Sequence, residues 1–124
     1  YGIDLNTAYE GIKISSGNSF VHETESQVIL NGSYDVGFTM DLAVKDVGLF
    51  QKLVNKFKIP TKISKLILNI FKRGEKTFGK KSFSTSIVKL LEDDCNEYLR
   101  SNNFPAFLVD AESKKNGIEV NRYE

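Results

Sequence analysis

The hydrophobic pattern is most regular between residues 37 and 57, where the sequence reads GFTMDLAVKDVGLFQKLVNKF. Apolar residues recur there at helical spacing, with about 100° between successive residues, and do not alternate as in a strand. The members of this stripe are Phe38, Leu42, Leu49, Leu53 and Phe57. Asn31-Gly32 before the segment and Pro60 after it are typical helix boundaries. The pattern predicts one helix of about five turns at the centre of an all-α core, with Leu42, Leu49 and Leu53 buried.

Two shorter helices are predicted before this central helix. Asp4 is a typical N-cap residue, and the apolar positions after it lie on one side of a first helix that ends in the SSGNS segment at residues 15–19. A second helix is predicted over residues 20–30, because a serine or asparagine of the 15–19 segment can cap its start and Asn31-Gly32 is a strong stop signal. Asn-Gly is also a hairpin signal, but its flanking residues lack the alternation of strands.

Two further helices are predicted after the central one. Thr61 is expected to cap a fourth helix that ends at Arg73-Gly74, and Ser82 or Ser84 a fifth that continues to Asn102. Phe104 and residues 107–109 are expected to pack a tail onto the core. We therefore predict an all-α bundle of about five to six helices around a long central helix. It forms one domain in residues 1–110, followed by a polar tail in residues 111–124 with the composition of disordered segments.

The overall composition is that of an ordinary globular domain, with 124 residues, 40% hydrophobic and 27% charged residues, and a net charge of +1. This length allows one core. No apolar run approaches the roughly 18 residues of a membrane span, and no stretch resembles the charged-then-apolar leader of a signal peptide, so we expect neither in this sequence. We expect no membrane partner. Because the first residue is Tyr and not Met, we interpret the chain as either processed or cut from something longer. The single cysteine, Cys95, excludes an internal disulfide and predicts a reducing compartment: the cytoplasm, or alternatively the mitochondrial matrix.

Positive charge is concentrated in residues 52–81, which hold ten of the seventeen basic residues and a single acid, Glu75. Such a segment suits a phosphate-bearing or acidic partner, although lysines also commonly face water on helices. No aromatic residues suited to base stacking are interleaved with these lysines, which weighs against nucleic acid as the partner.

Most side chains that could take part in catalysis or metal binding have a plain structural interpretation. His22 is the only histidine, and no second ligand stands at metal-binding spacing, so we predict no metal site. Cys95 follows two aspartates, a setting that disfavours a thiolate, and we expect an inert, partly buried thiol. The acids at residues 92–94 point in different directions on a helix and are expected to form a solvated face.

Lys45 has two interpretations. It stands four residues after Asp41, the favourable orientation for an exposed ion pair that contributes a few tenths of a kcal/mol. Alternatively, it presents a cation to an anionic ligand. Residue spacing alone favours the ion pair.

Six short motifs, in order, resemble the C-terminal domain of the β-hydroxyacid dehydrogenases, relatives of 3-hydroxyisobutyrate dehydrogenase and tartronate semialdehyde reductase. They are YGIDLN (1–6), SSGNSF (15–20), NGSYDVGF (31–38), LAVKDVGL (42–49), FKIP (57–60) and FGKKSFSTSIVKLL (78–91). The resemblance covers roughly residues 1–92. Departures occur at Asn18, Phe20 and Val36, where the family often has Arg, Trp and Pro, and they concern the identity of the substrate more than the fold.

The resemblance implies a hydride transfer between NAD or NADP and a short 3-hydroxy acid. In this family an N-terminal Rossmann domain holds the cofactor, and the helical domain completes the active site and forms a homodimer. The family's catalytic lysine lies on the helix that precedes the matched region. No catalytic residue is therefore expected in this chain, which on its own should be inactive.

By matched motif, the resemblance implies that Phe38, Lys45 and Asp46 contact the cofactor. It also makes Ser16, Gly17 and Phe20 weaker candidates for lining the substrate cleft. Two alternatives stay open: a non-catalytic dimerisation domain, and a basic module that binds nucleic acid or an acidic protein.

Overall fold

The computed structural model describes residues 2–109, and within that range it contains five α-helices, one 3₁₀ segment and no strand. The helices are α1 (Leu5–Lys13), α2 (Phe20–Asn31), α3 (Met40–Lys56), α4 (Ile63–Phe78) and α5 (Lys89–Cys95), and the 3₁₀ segment is Ser84–Val88. The all-α prediction is confirmed. The predicted polar tail in residues 111–124 lies outside the described residues.

The ends of the first two helices follow from local chemistry. The Asp4 carboxylate accepts a hydrogen bond from the backbone N–H of Thr7 at 2.8 Å, and the Ser19 hydroxyl accepts one from the N–H of His22 at 3.0 Å. Gly32 ends α2 in the left-handed conformation, at φ 89°, which suits a residue without a Cβ. Both predicted helices are confirmed with these caps.

Helices α3 and α4 pack against each other along their length, and a short turn at residues 57–62 joins them. The predicted cap at Thr61 is wrong, because α4 begins after Lys62 without a side-chain cap. The predicted end at Gly74 is also wrong. A Cβ at Gly74 would lie 2.5 Å from Ile87 Cδ1, so this glycine marks a close approach of two segments inside the helix. The helix continues to Phe78.

The 3₁₀ segment Ser84–Val88 is the point where the bundle closes, since it contacts α2, α3, α4 and α5. Ser84, Thr85 and Ser86 are all buried, and the Thr85 hydroxyl donates to the carbonyl of Tyr34 at 2.6 Å. The predicted long fifth helix is therefore two short elements. It ends at Cys95 because Asn96 takes the left-handed conformation, at φ 51°.

The core side of α3 differs from the predicted one. Met40, Ala43 and Val54 are buried, whereas Leu49 and Leu53 are 51% and 54% exposed and Leu42 is 38% exposed. The prediction that these three leucines lie in the core is wrong. The helix carries two apolar stripes, and the one that faces the core contains the smaller or more flexible side chains, which fit the close approach of α4 and the 3₁₀ segment.

After α5 the chain returns across α1 and α2 as a C-terminal segment (residues 96–109). The N–H of Ser101 donates to the carbonyl of Leu30 at 2.8 Å, and the Phe104 ring packs edge-on against Tyr9 with centroids 5.0 Å apart. The predicted packing of the tail holds for Phe104 but not for Phe107, which is 73% exposed.

One acid anchors this segment. Glu92 is 3% exposed, so the prediction of a solvated acidic face is wrong at this position. Its carboxylate accepts hydrogen bonds from the Tyr34 hydroxyl, from the N–H of Leu99 at 2.9 Å and from the Arg100 guanidinium at 2.9 Å. Burial alone would raise the pKa of Glu92, but these donors outweigh it and the pKa is lowered.

Candidate functional site

The N-terminus of α3 is held by the loop that follows α4. The N–H of Met40 donates to the carbonyl of Ser82 at 2.8 Å, and the N–H of Asp41 to the carbonyl of Lys80 at 3.1 Å. In return, the carbonyl of Phe38 accepts from the N–H of Ser84 at 2.8 Å. Because these donors are already used, the first turn of α3 does not offer an open anion site of the kind that free helix N-termini form.

Asp41 is paired with the same loop. Its carboxylate lies 2.7 Å from the Lys81 ammonium and also accepts from the Thr39 hydroxyl, and these two hydrogen bonds lower the pKa of Asp41 to about 2. The predicted ion pair between Asp41 and Lys45 is therefore wrong. Lys45 does not serve the fold through that contact.

Lys45 stands one turn further along α3 with its side chain largely in solvent. Its Nζ lies 3.2 Å from the Asp46 carboxylate, and the two side chains are 57% and 55% exposed. An ion pair this exposed contributes little to stability. The cation at Lys45 is accessible to a ligand.

Lys45 lines a groove of about 380 Å³ between α3 and α4, which we call the lysine groove. Lys52 follows on the same side of α3, seven residues or two turns later, and Lys72 lines the opposite wall from α4. Gly48 lies between the two lysines of α3, and Gln51 and Asn55 add amide groups. No carboxylate lines this groove within the part of the chain that the structure describes.

A second groove lies on the other flank of the α3–α4 contact and has a volume of about 640 Å³. Asp46 stands on its edge, and its walls are mainly apolar, with Val47, Phe50, Ile63 and Ile67. Lys45 and Asp46 are adjacent in sequence but border different grooves, because neighbouring residues on a helix point about 100° apart.

The remaining predicted site residues do not line the lysine groove. Phe38 immediately precedes the first turn of α3 and is 38% exposed. Ser16 and Gly17 are exposed in the turn between α1 and α2, and Phe20 opens α2 at 51% exposure. The structure thus places the predicted residues on two separate pairs of helices.

Sequence reasoning missed Lys52 and Lys72. The spacing of Lys45 and Lys52 was a usable signal, because residues seven apart lie on the same face of a helix. Lys72 had no such signal, since only the packing of α4 against α3 brings it to the groove.

Of the two side chains suited to metal or redox chemistry, His22 makes contacts within the fold and Cys95 is exposed. The His22 ring stacks on Tyr9 with centroids 4.8 Å apart, and its Nε2 lies 2.9 Å from the carbonyl of Tyr9. Cys95 is exposed, which corrects the expectation of a partly buried thiol. Among residues 2–109, no group of three His, Cys, Asp or Glu side chains is placed to hold a metal ion, and no helix is long and apolar enough to cross a membrane.

The described part of the chain is thus a helical domain that exposes a lysine on α3 beside a cationic groove. The chain belongs to the family described as the NAD-binding domain of NADP-dependent 3-hydroxyisobutyrate dehydrogenase, whose model matches residues 1–91. The resemblance inferred from the six motifs is confirmed. The match includes Phe38, Lys45 and Asp46 and ends before the C-terminal segment.

Among characterised relatives, the chain is similar to L-threonate dehydrogenases. It is 25% identical over 89 residues to the enzyme of Escherichia coli strain K12, covering 72% of this chain and 30% of that protein. It is 27% identical to the enzyme of Pectobacterium atrosepticum over 71% of this chain and 29% of that protein. For Haemophilus influenzae the identity is 22%, over 72% of this chain and 30% of that protein. The chain thus spans about 30% of the length of these relatives.

Proposed function

We propose that this chain acts as the helical domain of an NAD(P)-dependent hydroxyacid dehydrogenase, which transfers a hydride between the nicotinamide cofactor and a short 3-hydroxy acid. The observation that carries the proposal is the family match over residues 1–91, which contains an accessible Lys45 beside a groove that no carboxylate lines in the described residues. A Rossmann domain of the parent enzyme would hold most of the cofactor. The similarity to L-threonate dehydrogenases makes L-threonate one substrate to test, beside 3-hydroxyisobutyrate.

The residues of this chain fit an anionic cofactor. Three lysines and two amides can neutralise and hydrogen-bond phosphate or carboxylate oxygens. Bound NAD(P) would supply the hydride chemistry. Lys45 would hold negative charge beside the reacting groups, and Asp46, 3.2 Å away, would orient the Lys45 ammonium. Phe38 would provide an apolar wall that keeps water out of the closed site.

The turn between α1 and α2 is the part of the proposal that concerns the substrate. Ser16, Gly17 and Phe20 are exposed there, so a hydroxyl and an aromatic ring face the surroundings of the domain, while the N–H of Gly17 donates to the Ser15 hydroxyl at 3.1 Å. We assign these residues to the cleft wall that the parent enzyme forms when its two domains come together.

Homodimerisation is the second part of the proposal. Leu49, Leu53 and Phe57 on α3 are at least half exposed, and Ile63 and Leu66 on α4 are 72% and 59% exposed. Exposed apolar residues in such numbers on one helix pair favour an interaction surface there. Light scattering should give a dimer, and Leu53→Lys should give a folded monomer. A wild-type monomer at high micromolar concentration would contradict this part.

The test of the catalytic role is the Lys45→Ala substitution in the full-length enzyme. A helix accepts alanine readily, and the exposed pair with Asp46 contributes little, so the melting temperature should be nearly unchanged. Loss of one charge-assisted contact in a closed site should lower kcat/KM by about tenfold to a thousandfold. Lys65→Ala, an exposed lysine of α4 outside the groove, is the matched control.

Three outcomes distinguish the interpretations of this test. Unchanged kinetics in Lys45→Ala would return Lys45 to an ordinary surface position. Lost activity together with a collapsed melting temperature would show a structural role. A full-length protein that oxidises no hydroxy acid with either cofactor would favour the non-catalytic dimerisation domain. The 124-residue chain alone should be inactive and should bind NAD(P) only weakly.

A further inference from the structure

We propose that the C-terminal segment positions the turn between α1 and α2, with Phe104 as the positioning residue. That turn carries Ser16 and Gly17 and leads into Phe20, so the segment sets how the domain meets the hydroxy acid. The role toward the substrate rests on the proposed function, whereas the hold of the segment on α1 rests on contacts alone. The family match ends at residue 91, so the C-terminal segment lies outside it.

Helix α1 depends on few contacts for its position. It packs chiefly against α2, whereas the 3₁₀ segment contacts four helices. Tyr9 is the buried residue of α1, at 5% exposure. A helix of nine residues is too short to be stable in isolation, so packing must hold it in place. The contacts of Tyr9 therefore largely determine where α1 lies.

The C-terminal segment joins the two helices on either side of the turn. The Asn6 side-chain amide of α1 donates to the Ser101 hydroxyl at 3.1 Å, and the N–H of Ser101 donates to the carbonyl of Leu30 at 2.8 Å. The Asn31 side-chain amide donates to the carbonyl of Phe104 at 2.8 Å. The segment thus connects the start of α1 with the end of α2.

The Phe104 ring extends this support toward the turn. It meets Tyr9 edge-on with centroids 5.0 Å apart, and the Tyr9 ring stacks on His22 with centroids 4.8 Å apart. The Tyr9 hydroxyl also donates to the carbonyl of Glu23 at 2.9 Å. The three rings form a row that leads from the C-terminal segment to the first turn of α2, where Phe20 lies. A change in the position of Tyr9 is therefore transmitted to the turn.

The other end of the segment has its own anchor. The Arg100 guanidinium donates to the Glu92 carboxylate at 2.9 Å and to the Tyr34 hydroxyl at 2.6 Å. A Cβ at Gly32 would lie 2.6 Å from Arg100 Nε, so this glycine lets Arg100 lie against the end of α2. Because this anchor is separate from Phe104, a substitution at Phe104 should release α1 and leave the anchor in place.

Steady-state kinetics of the full-length enzyme test the role toward the substrate. Phe104→Ala should raise KM for the hydroxy acid by about three- to tenfold and leave KM for NAD(P) within about twofold, because the cofactor does not depend on this turn. Phe104→Tyr keeps the ring that meets Tyr9 and should restore KM to within about twofold of wild type. Phe107→Ala is the matched control, since Phe107 lies on the same segment and is 73% exposed.

Amide hydrogen exchange of the 124-residue chain tests the hold on α1 without any activity. Phe104→Ala should speed exchange at the amides of α1 and at Phe20 by about tenfold and leave those of α3 unchanged. Phe107→Ala should exchange as the wild type does. If Phe104→Ala does not fold, Phe104→Leu provides the same comparison, because it keeps an apolar side chain and removes only the ring.

The two measurements separate positioning from general stability. A joint rise of KM for the hydroxy acid and for NAD(P), or a lower kcat with unchanged KM and a lowered melting temperature, would show a general stabilising role and overturn the proposal. Exchange in α1 that is the same in Phe104→Ala and wild type would overturn it as well. So would faster exchange in α1 of an active enzyme whose KM for the hydroxy acid does not change.

Failure of the proposed function would give a different result. If Phe104→Ala speeds exchange in α1 while the full-length protein oxidises no hydroxy acid, the proposed function and the role toward the substrate fail together. The hold of the C-terminal segment on α1 would then remain. If the enzyme is active and neither measurement responds to Phe104→Ala, only the positioning role fails.

Discussion

The C-terminal segment and the α3–α4 pair both place charged side chains beside apolar ones, but with opposite degrees of burial. Glu92, the α5 residue that anchors the first region, is 3% exposed and accepts hydrogen bonds from Tyr34, Leu99 and Arg100. In the second, Lys45 and Asp46 are more than half exposed. A buried charge must be paired, or its desolvation would oppose folding, whereas an exposed charge costs the fold little and is free to meet a ligand.

The apolar residues show the same contrast. Near the C-terminal segment, Tyr9 and Leu30 are buried under Phe104 and the chain around Ser101. On α3, one apolar stripe is buried while Leu49 and Leu53 stay about half exposed. The apolar residues of the first region are thus buried within the chain itself, and we call it the closed region. The α3–α4 pair instead exposes both apolar surface and positive charge. This difference agrees with the proposal that the α3–α4 side serves binding, while the first region serves the stability of the domain.

Removing the buried acid should break the closed region and give the largest effect. Glu92→Ala removes the acceptor of the Tyr34 hydroxyl and the carboxylate partner of Arg100, and it should lower the free energy of unfolding by about 3–5 kcal/mol in urea titrations. Asp93→Ala is the matched control, because its exposed side chain should change stability by less than about 0.5 kcal/mol. Equal effects of the two substitutions would remove the contrast between the regions. If Glu92→Ala does not fold, Glu92→Gln provides the same comparison in a milder form.

A pair of substitutions on α3 sharpens the contrast between its two apolar stripes. Met40 is fully buried, so Met40→Ala should lower the free energy of unfolding by about 2–5 kcal/mol. Leu49 is 51% exposed, so Leu49→Ala should cost about 1 kcal/mol or less in the monomer, although the hydrophobic pattern alone predicts a core role. Chemical denaturation measured at low protein concentration, where the proposed homodimer would dissociate, tests the difference. A larger loss at Leu49 than at Met40 would reverse the assignment of the core face.

The smallest effect concerns pH and again belongs to the closed region. Burial and the hydrogen bond to Glu92 raise the pKa of Tyr34 from 10.0 to about 12. Because the folded pKa lies above the unfolded one, this contribution to stability is complete below about pH 10 and is lost as the pH rises toward 12. Tyr34→Phe should cost about 1 kcal/mol near neutral pH and should reduce the loss of stability above pH 10.

The control for the alkaline prediction is Tyr98→Phe, since Tyr98 is 61% exposed. Urea midpoints measured near neutral pH and again between pH 10 and 12 compare the two variants with the wild type. An alkaline loss in Tyr34→Phe as large as that of the wild type would show that Tyr34 is not the group that titrates.

Local sequence signals predicted helix ends reliably where a single residue determines the backbone conformation. The side-chain oxygens of Asp4 and Ser19 cap the N-termini of α1 and α2, and Gly32 ends α2 in the left-handed conformation. These roles do not depend on what packs around the residues. The helix end predicted at Gly74 was wrong, because glycine occurs both at helix ends and where two segments approach closely. Here it allows Ile87 and Met40 to approach the helix. The prediction of a long fifth helix was wrong because residues 84–88 form a largely buried 3₁₀ segment and because Asn96, in the left-handed conformation, ends α5 at Cys95.

The candidate site was predictable only in part. The motif around Lys45 pointed to the family, and the match over residues 1–91 agrees with it. The environment of Lys45 was not predictable, because its helical neighbour Asp41 is drawn to Lys81, forty residues later in the sequence. The burial of Glu92 was equally hidden, since its partners Tyr34 and Arg100 approach it only in the folded chain.

The sequence by itself determined the all-α class, the caps of the first helices and the family, because these depend on local backbone preference and on short motifs in order. The tertiary structure decided which of the two apolar stripes of α3 is buried and which charges are paired. It also decided that Lys72 joins Lys45 and Lys52 at one groove. These choices depend on close packing and on desolvation, which are properties of distant segments brought together and leave no local pattern in the chain.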